Sequence, residues 1–156
     1  MKLNNKSEFT TKLSYAQEVA EQLIDSSLPK PKNIFVAMPF NQRFTDFYML
    51  GVRPVAIESG LTCTRADEDQ FNGSIREEII TMIRKADVVV VEVSDPNLNV
   101  YYELGWAHAL EKPTILCTTN IELSPFDIKG LNHIVYTTVF ELKKKFRKRL
   151  TNVLGN

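Results

Sequence analysis

The chain has few of the residues that build disulfide frameworks and metal sites. Its 156 residues include two cysteines and two histidines. Cys63 and Cys117 lie in separate apolar runs and form no CxxC pair, so the sequence predicts two buried thiols in a reducing compartment. His108 and His133 are far apart, and no P-loop, GxGxxG or GxSxG motif occurs. We therefore expect no metal and no cofactor.

An excess of either charge is also missing, and so is a long apolar run. Lys and Arg together number 19, as do Asp and Glu, so no net charge draws the chain to nucleic acid or a membrane surface. No apolar run approaches the roughly 18 residues of a membrane span. The first residues, MKLNNKSEFTTKL, lack the apolar core of a signal peptide. We expect a soluble, cytoplasmic protein without a membrane or nucleic-acid partner.

From residue 33 onward, apolar runs of strand length alternate with helical patterns. The predicted strands cover residues 33–40, 61–65, 87–93, 113–118 and 133–137. The predicted helices cover residues 44–59, 73–86, 99–111 and 139–154, and Gly51 and Pro54 should interrupt or bend the first of them. This alternation predicts an α/β fold, a flavodoxin-like three-layer sandwich with about five parallel strands.

The first 32 residues have a different pattern. Apolar residues recur at helical spacing between residues 8 and 27, which indicates an amphipathic helix. Pro29 and Pro31 block helix and favour an extended linker after it. We therefore divide the chain into an N-terminal helix with its linker, residues 1–32, and an α/β domain, residues 33–156.

A single carboxylate in an apolar helix is the most informative feature of the sequence. Glu103 follows the third predicted strand and a polar turn, and its neighbours are Val100, Tyr101, Tyr102, Leu104 and Trp106. A carboxylate near a helix N-terminus is favoured by the helix dipole, which is the structural explanation of Glu103. Burial of an unpaired charge is expensive, however, so a glutamate on a sheet-facing helix needs a partner or a ligand.

Polar loops follow the strands that should flank Glu103. Asp95, Asn97 and Asn99 come after the third strand, and Asp67 comes after the second. Turn, cap and solvent-exposed roles explain these side chains without a ligand. The loops that follow parallel strands lie at one edge of the sheet, so we also expect a crevice there with Glu103 at its floor.

Four sequence segments resemble the nucleoside 2-deoxyribosyltransferase-like superfamily over roughly residues 33–120. They are IFVAMPF at 34–40, GSIR at 73–76, IRKADVVV at 83–90, and YELGWAHAL at 102–110 followed by Lys112 and Pro113. The resemblance implies transfer or hydrolysis at an N-glycosidic bond, with Glu103 as the nucleophile that attacks the anomeric carbon. Asn97 stands where the family usually has an aspartate. The segment PNLNVYYELG is also similar to TIR-like nucleotide-binding domains, some of which cleave NAD.

These observations give one functional prediction and two alternatives. We expect an enzyme that cleaves or transfers the N-glycosidic bond of a nucleoside or nucleotide, with Glu103 as nucleophile or stabiliser of an oxocarbenium-like state and Asp67 or Asp95 as acid. The alternatives are a non-catalytic nucleotide-binding sensor and a TIR-like NAD glycohydrolase. We also expect a homodimer or larger homo-oligomer. The predicted ligand contacts are Met38, Phe40, Asn97, Asn99, Tyr102, Gly73 and Ser74.

Overall fold

The computed structural model describes residues 32–67 and 74–155. The predicted helix over residues 8–27 lies outside the described residues, and so does Gly73. Within the described part of the chain, no helix is long and apolar enough to cross a membrane.

Strands and helices alternate in the order that the sequence predicts. The strands are β1 (Asn33–Ala37), β2 (Thr62–Arg65), β3 (Val88–Glu92), β4 (Thr114–Thr118) and β5 (His133–Val135). The helices are α1 (Arg53–Glu58), α2 (Ile75–Lys85), α3 (Leu98–Ala109), α4 (Phe126–Lys129) and α5 (Val139–Leu154). The helix α4 and a 3-10 turn at Ile121–Leu123 lie between β4 and β5, and both are too short to have a detectable apolar period.

All strand pairs are parallel, and the strand order is β2-β1-β3-β4-β5. This order confirms the flavodoxin-like fold. The central strand β3 is buried along its whole length, which explains why its sequence is a continuous valine run rather than an alternating pattern.

Two apolar cores cover the two faces of the sheet. Val88 and Val90 of β3 point into one core with Phe146 of α5, and Val89 and Val91 point into the other with Leu104 of α3. Because successive side chains of a strand point to opposite faces, a single strand supplies both cores. The result is a three-layer sandwich.

The helix predicted over residues 44–59 changes from π-helical to α-helical geometry between Gly51 and Pro54, where the sequence predicts an interruption or a bend. A π-helical stretch, Phe47–Val52, runs directly into α1, and the Arg53 N–H donates to the Tyr48 carbonyl five residues back. Pro54, which has no N–H to donate, follows directly as the second residue of α1. A Cβ atom at Gly51 would lie 2.5 Å from Leu142 Cδ2, so the glycine allows α5 to approach closely.

The edge strand β5 is flanked by basic side chains of α5. Lys145 Nζ donates a hydrogen bond to the Val135 carbonyl at 2.7 Å, and Arg149 Nη1 donates to the Asn132 carbonyl at 3.2 Å. These two carbonyl oxygens at the edge therefore already have donors from side chains of the same domain.

Candidate functional site

A cleft of about 450 Å³ opens at the carboxyl edge of the sheet. Its volume lies within the range of about 300–1,000 Å³ that is usual for small-molecule sites. The segment after β1 and the beginnings of α2 and α3 supply its walls. The lining residues are Phe40, Ile75, Arg76, Ile79, Asn99, Tyr102 and Glu103.

Glu103 lines this cleft as a nearly buried carboxylate. Its residue exposure is 6%, and within residues 32–67 and 74–155 its side chain makes no hydrogen bond or ion pair. Burial raises the pKa of Glu103 to about 7. Near neutral pH the side chain therefore exists in both protonation states, which an ordinary surface glutamate does not do.

The local sequence explains how α3 carries Glu103 to this position. Asn97 is the N-cap of α3, and its Oδ1 accepts hydrogen bonds from the backbone N–H groups of Asn99 at 3.0 Å and Val100 at 3.2 Å. Val100 and Leu104, four residues apart, fix one face of the helix against the sheet. Glu103 lies between these two residues in the sequence of α3, and its side chain lines the cleft beside that apolar face.

The two predicted acids are held in ion pairs outside the cleft lining. Arg43 Nη1 lies 2.9 Å from Asp95 Oδ2, and Arg65 Nη2 donates to Asp67 Oδ2 at 2.6 Å. Arg65 Nε also contacts Asp67 Oδ1. Each carboxylate thus has a cationic partner, and the structure brings neither of them to Glu103.

The predicted ligand contacts divide into two groups. Phe40, Asn99 and Tyr102 line the cleft. The Tyr102 ring is held edge-on to the Trp106 ring with centroids 6.3 Å apart, which orients one apolar wall.

Gly73 lies outside the described residues, and the other predicted contacts lie away from the cleft lining. Asn97 is used as a helix cap, and Ser74 is exposed at the start of α2 without a side-chain capping bond. Met38 is buried with its Sδ 3.9 Å from Arg65 Nη1. None of these three residues lines the cleft.

The sequence prediction named Gly73 and Ser74, just before α2, as ligand contacts and named no residue within α2. Ile75, Arg76 and Ile79, in its first two turns, line the cleft. In the helical pattern of residues 73–86, Ile75 and Ile79 lie on the apolar face and Arg76 lies off it, which is typical of core and solvent-exposed roles. The position of α2 after β2 in the sequence could have indicated these residues, because a helix that follows a parallel strand begins at the carboxyl edge of the sheet.

A second buried carboxylate supports the loop after β3. Glu92 is fully buried; its Oε1 accepts from the Ser94 backbone N–H at 2.7 Å, and its Oε2 accepts from the Tyr136 hydroxyl at 2.7 Å. Ser94 Oγ in turn accepts from the Thr119 N–H at 2.8 Å. Burial raises the pKa of Glu92, while its hydrogen bonds with Ser94 and Tyr136 oppose that shift. This network ties the ends of β3, β4 and β5 together.

The fold and cleft together define an α/β protein with a cleft of small-molecule size at the carboxyl edge of its sheet. The sequence profile of the nucleoside 2-deoxyribosyltransferase family matches residues 31–142, and the chain belongs to this family. The resemblance seen in the sequence is thereby confirmed.

Two curated relatives are similar to one third of the chain. The 5-hydroxymethyl-dUMP N-hydrolase of Mus musculus is 56% identical over 52 residues, which are 33% of this chain and 28% of that enzyme. The corresponding Rattus norvegicus enzyme is 54% identical over 52 residues, 33% of this chain and 29% of the enzyme. The similarity thus spans less than a third of either relative.

Solved structures with low sequence identity share the fold. The Clostridium botulinum CMP N-glycosidase has a TM-score of 0.63 at 21% identity and covers 76% of this chain and 99% of its own. The Leishmania mexicana 2-desoxiribosyltransferase has a TM-score of 0.58 at 20% identity, with 76% and 98% coverage. A TIR domain of a Toll-related receptor from Hydra magnipapillata has a TM-score of 0.62 at 15% identity, with 79% and 98% coverage.

Proposed function

We propose that this protein cleaves or transfers the N-glycosidic bond of a nucleoside or nucleotide, with the sugar bound over Glu103. The observation that carries this proposal is a nearly buried carboxylate, without a partner in the described residues, in a cleft with largely apolar walls. Family membership and the names of the relatives support the same bond type. A buried charge without a structural partner is expensive, so a ligand that develops positive charge explains why it is there.

The chemistry follows from the charge that develops on the sugar. As the base departs with the electron pair of the N-glycosidic bond, the anomeric carbon becomes oxocarbenium-like. An ionised Glu103 either stabilises that charge or forms a bond to the carbon through one of its oxygens. Water or a second base then attacks the same carbon. In the covalent route this attack breaks the bond to Glu103 and regenerates its carboxylate.

The same geometry predicts the pH dependence. Only ionised Glu103 can act as nucleophile or stabilise positive charge, and its pKa is raised to about 7. Turnover should therefore rise with pH through about 7 and level off above it. A profile that levels off below pH 5 would assign the titration to another group.

The test is the release of free base from nucleosides and nucleotides, measured by chromatography. Glu103→Gln keeps the shape of the side chain and removes its charge, so turnover should fall by roughly 1,000-fold or more. Glu77→Gln, on the exposed first turn of α2, is the matched control and should leave turnover unchanged. Failure of the wild-type protein to release base from any compound would refute catalysis.

One observation favours a non-catalytic nucleotide-binding sensor as the second candidate. Asp67 and Asp95 are ion-paired, and among the described residues Glu103 is the one carboxylate that lines the cleft. A neutral base needs a proton as it leaves, whereas the nicotinamide of NAD leaves without one. Nucleotide binding without base release would support the sensor, and release of nicotinamide alone would support a TIR-like NAD glycohydrolase.

Assembly into a homodimer or larger homo-oligomer also stays a proposal. Three apolar side chains near the cleft support it because they are exposed to solvent in this chain. Their exposed fractions are 63% for Phe40, 87% for Leu98 and 47% for Tyr102. Light scattering at high protein concentration tests it, and a particle of one 17.8-kDa chain would contradict it.

A further inference from the structure

The buried carboxylate of Glu92 lies at the start of the loop that leads to Glu103. Glu92 is the last residue of β3, and the loop to α3 begins directly after it. Side chains of a strand alternate between the two faces of the sheet, so Glu92 shares the face of Val88 and Val90, opposite to the face that α3 covers. Glu92 does not line the cleft. Any effect that it has on the cleft therefore acts through the backbone.

The surroundings of Glu92 would suit an apolar side chain. The apolar core on this face includes Phe47 and Tyr136, whose rings stack with their centroids 6.0 Å apart. Burial of a charge in such a core is costly, and a well-packed apolar residue of similar volume is often at least as stabilising. Packing alone therefore does not explain why a carboxylate stands at this position.

The hydrogen bonds of the carboxylate provide an explanation. Glu92 accepts from the Tyr136 hydroxyl through Oε2 and from the Ser94 N–H through Oε1, each at 2.7 Å. Of these two donors, the Ser94 N–H belongs to the loop between β3 and α3. Ser94 Oγ also accepts from the Thr119 N–H at 2.8 Å, just after β4. Ser94 is thus held both by its backbone and by its side chain.

The connection from Ser94 to α3 is short and has little conformational freedom. It consists of Asp95, Pro96 and Asn97. Pro96 has a fixed φ angle, and the Asn97 side chain caps the first turn of α3. Glu103 lies further along the same helix, and among the described residues no partner holds its carboxylate. The position of that carboxylate in the cleft is therefore set by where α3 begins.

We propose that Glu92 is a positioning residue of the cleft: by accepting the Ser94 N–H, it fixes where α3 begins and so where the Glu103 carboxylate lies. Its effect on turnover rests on the proposed function, in which Glu103 acts on the sugar. Its effect on the position of Glu103 is independent of that function. Tyr136 holds the other carboxylate oxygen and is not part of the connection to the cleft.

The test measures the pKa of Glu103 by NMR of its side-chain carboxyl carbon, in protein with isotope-labelled glutamate and without substrate. Glu103→Gln identifies the resonance. Burial is the cause of the raised pKa of about 7, so this pKa reports how deeply the carboxylate is held. Glu92→Met keeps the length of the side chain at position 92 and removes the acceptor, so the pKa of Glu103 should fall from about 7 toward the ordinary 4.5.

Turnover gives a second readout in the same variant. The value of kcat for base release should fall roughly 10- to 100-fold in Glu92→Met, because Glu103 is misplaced relative to the anomeric carbon. The value of KM should change much less, since Glu92 touches no ligand. Both constants are measured at a temperature at which circular dichroism shows each variant to be folded.

Two control variants separate positioning from a general loss of stability. Tyr136→Phe removes the other hydrogen bond of Glu92 and should lower stability, yet the pKa of Glu103 and kcat should stay as in the wild type. Glu92→Gln offers its amide oxygen to the Ser94 N–H and its amide N–H to the Tyr136 hydroxyl, so it should restore both readouts.

A further variant tests the same connection if Glu92→Met does not fold. Ser94→Ala leaves Glu92 in place and removes the acceptor of the Thr119 N–H, which releases the loop from the end of β4. The pKa of Glu103 should fall in this variant as well.

Three results would overturn the inference. The first is a wild-type pKa of Glu103 in Glu92→Met, or in Ser94→Ala where the former does not fold. The second is an equal fall of this pKa in Tyr136→Phe and Glu92→Met. The third is a failure of Glu92→Gln to restore the pKa, because the charge and not the acceptor would then be responsible.

The two readouts keep the inference distinct from the proposed function. A lowered pKa of Glu103 in Glu92→Met, in a protein that releases no base, would support the inference without catalysis. Base release by the wild type together with an unchanged pKa in Glu92→Met would leave the proposed function standing and refute the inference.

Discussion

Glu92 and Glu103 are both buried carboxylates near the carboxyl edge of the sheet, and their surroundings differ completely. Glu92 accepts hydrogen bonds from the Ser94 N–H and the Tyr136 hydroxyl, each at 2.7 Å. Glu103 has no such partner among the described residues, and its pKa shift has burial as its cause. A carboxylate whose hydrogen bonds are complete serves the fold, whereas one left incomplete is available for a ligand.

The largest difference should appear when each carboxylate is replaced by an apolar side chain. Glu92→Leu leaves the Tyr136 hydroxyl and the Ser94 N–H buried without an acceptor, so the free energy of unfolding should fall by about 2–4 kcal/mol. Glu103→Leu leaves no donor of the described residues without its acceptor and should not destabilise the protein at pH 8. Urea denaturation of both variants measures this. Equal losses of stability would show that both glutamates are structural.

The pH dependence of stability should sharpen the same comparison. The folded-state pKa of Glu103 is about 7, above its ordinary value of 4.5, so the folded state binds the extra proton between these pH values. Stability from this group is fully present below pH 4.5 and is lost as the pH rises through about 7. Glu103→Gln should therefore be more stable than the wild type by about 1–3 kcal/mol at pH 8.

That gain should shrink toward zero as the pH falls to about 4.5, the ordinary pKa of a glutamate. Thermal unfolding of the wild type and Glu103→Gln across this range measures the difference. A stability difference between the two proteins that does not change with pH would show that ionisation of Glu103 costs no stability in the absence of a ligand. The proposed difference between Glu103 and Glu92 would then be wrong.

The smallest effect should come from the ion pair between Arg43 and Asp95. Both side chains are partly exposed, at 56% and 36%, so solvent screens their attraction. Asp95→Asn should change the free energy of unfolding by less than about 1 kcal/mol. Base release should stay within a few-fold of the wild type, because Asp95 does not line the cleft. A loss of turnover as large as that of Glu103→Gln would restore Asp95 as the acid.

The fold could be predicted well because its signals are local. The valine run of β3 and the alternation of strand and helix patterns are properties of neighbouring residues, and the five parallel strands follow from them. Glu103 was recognisable for the same reason, since an acid in an apolar helix stands out in one window of sequence.

The rest of the site depends on contacts between distant parts of the chain. Arg43 and Asp95 are 52 residues apart, and Glu92 and Tyr136 are 44 apart, so no local pattern indicates either pair. Asp95 was therefore predicted from the loop that carries it, without its partner. Arg76 was missed because helical periodicity separates apolar from polar faces and does not say which polar residue faces a cleft.

The basic side chains beside β5 have a consequence for concentrated protein. An open strand edge can pair with another chain and extend the sheet from molecule to molecule. Lys145 and Arg149 already donate to the Val135 and Asn132 carbonyls, and their positive charges would repel the same side chains of a second copy. Sheet-to-sheet growth is thus discouraged at this edge.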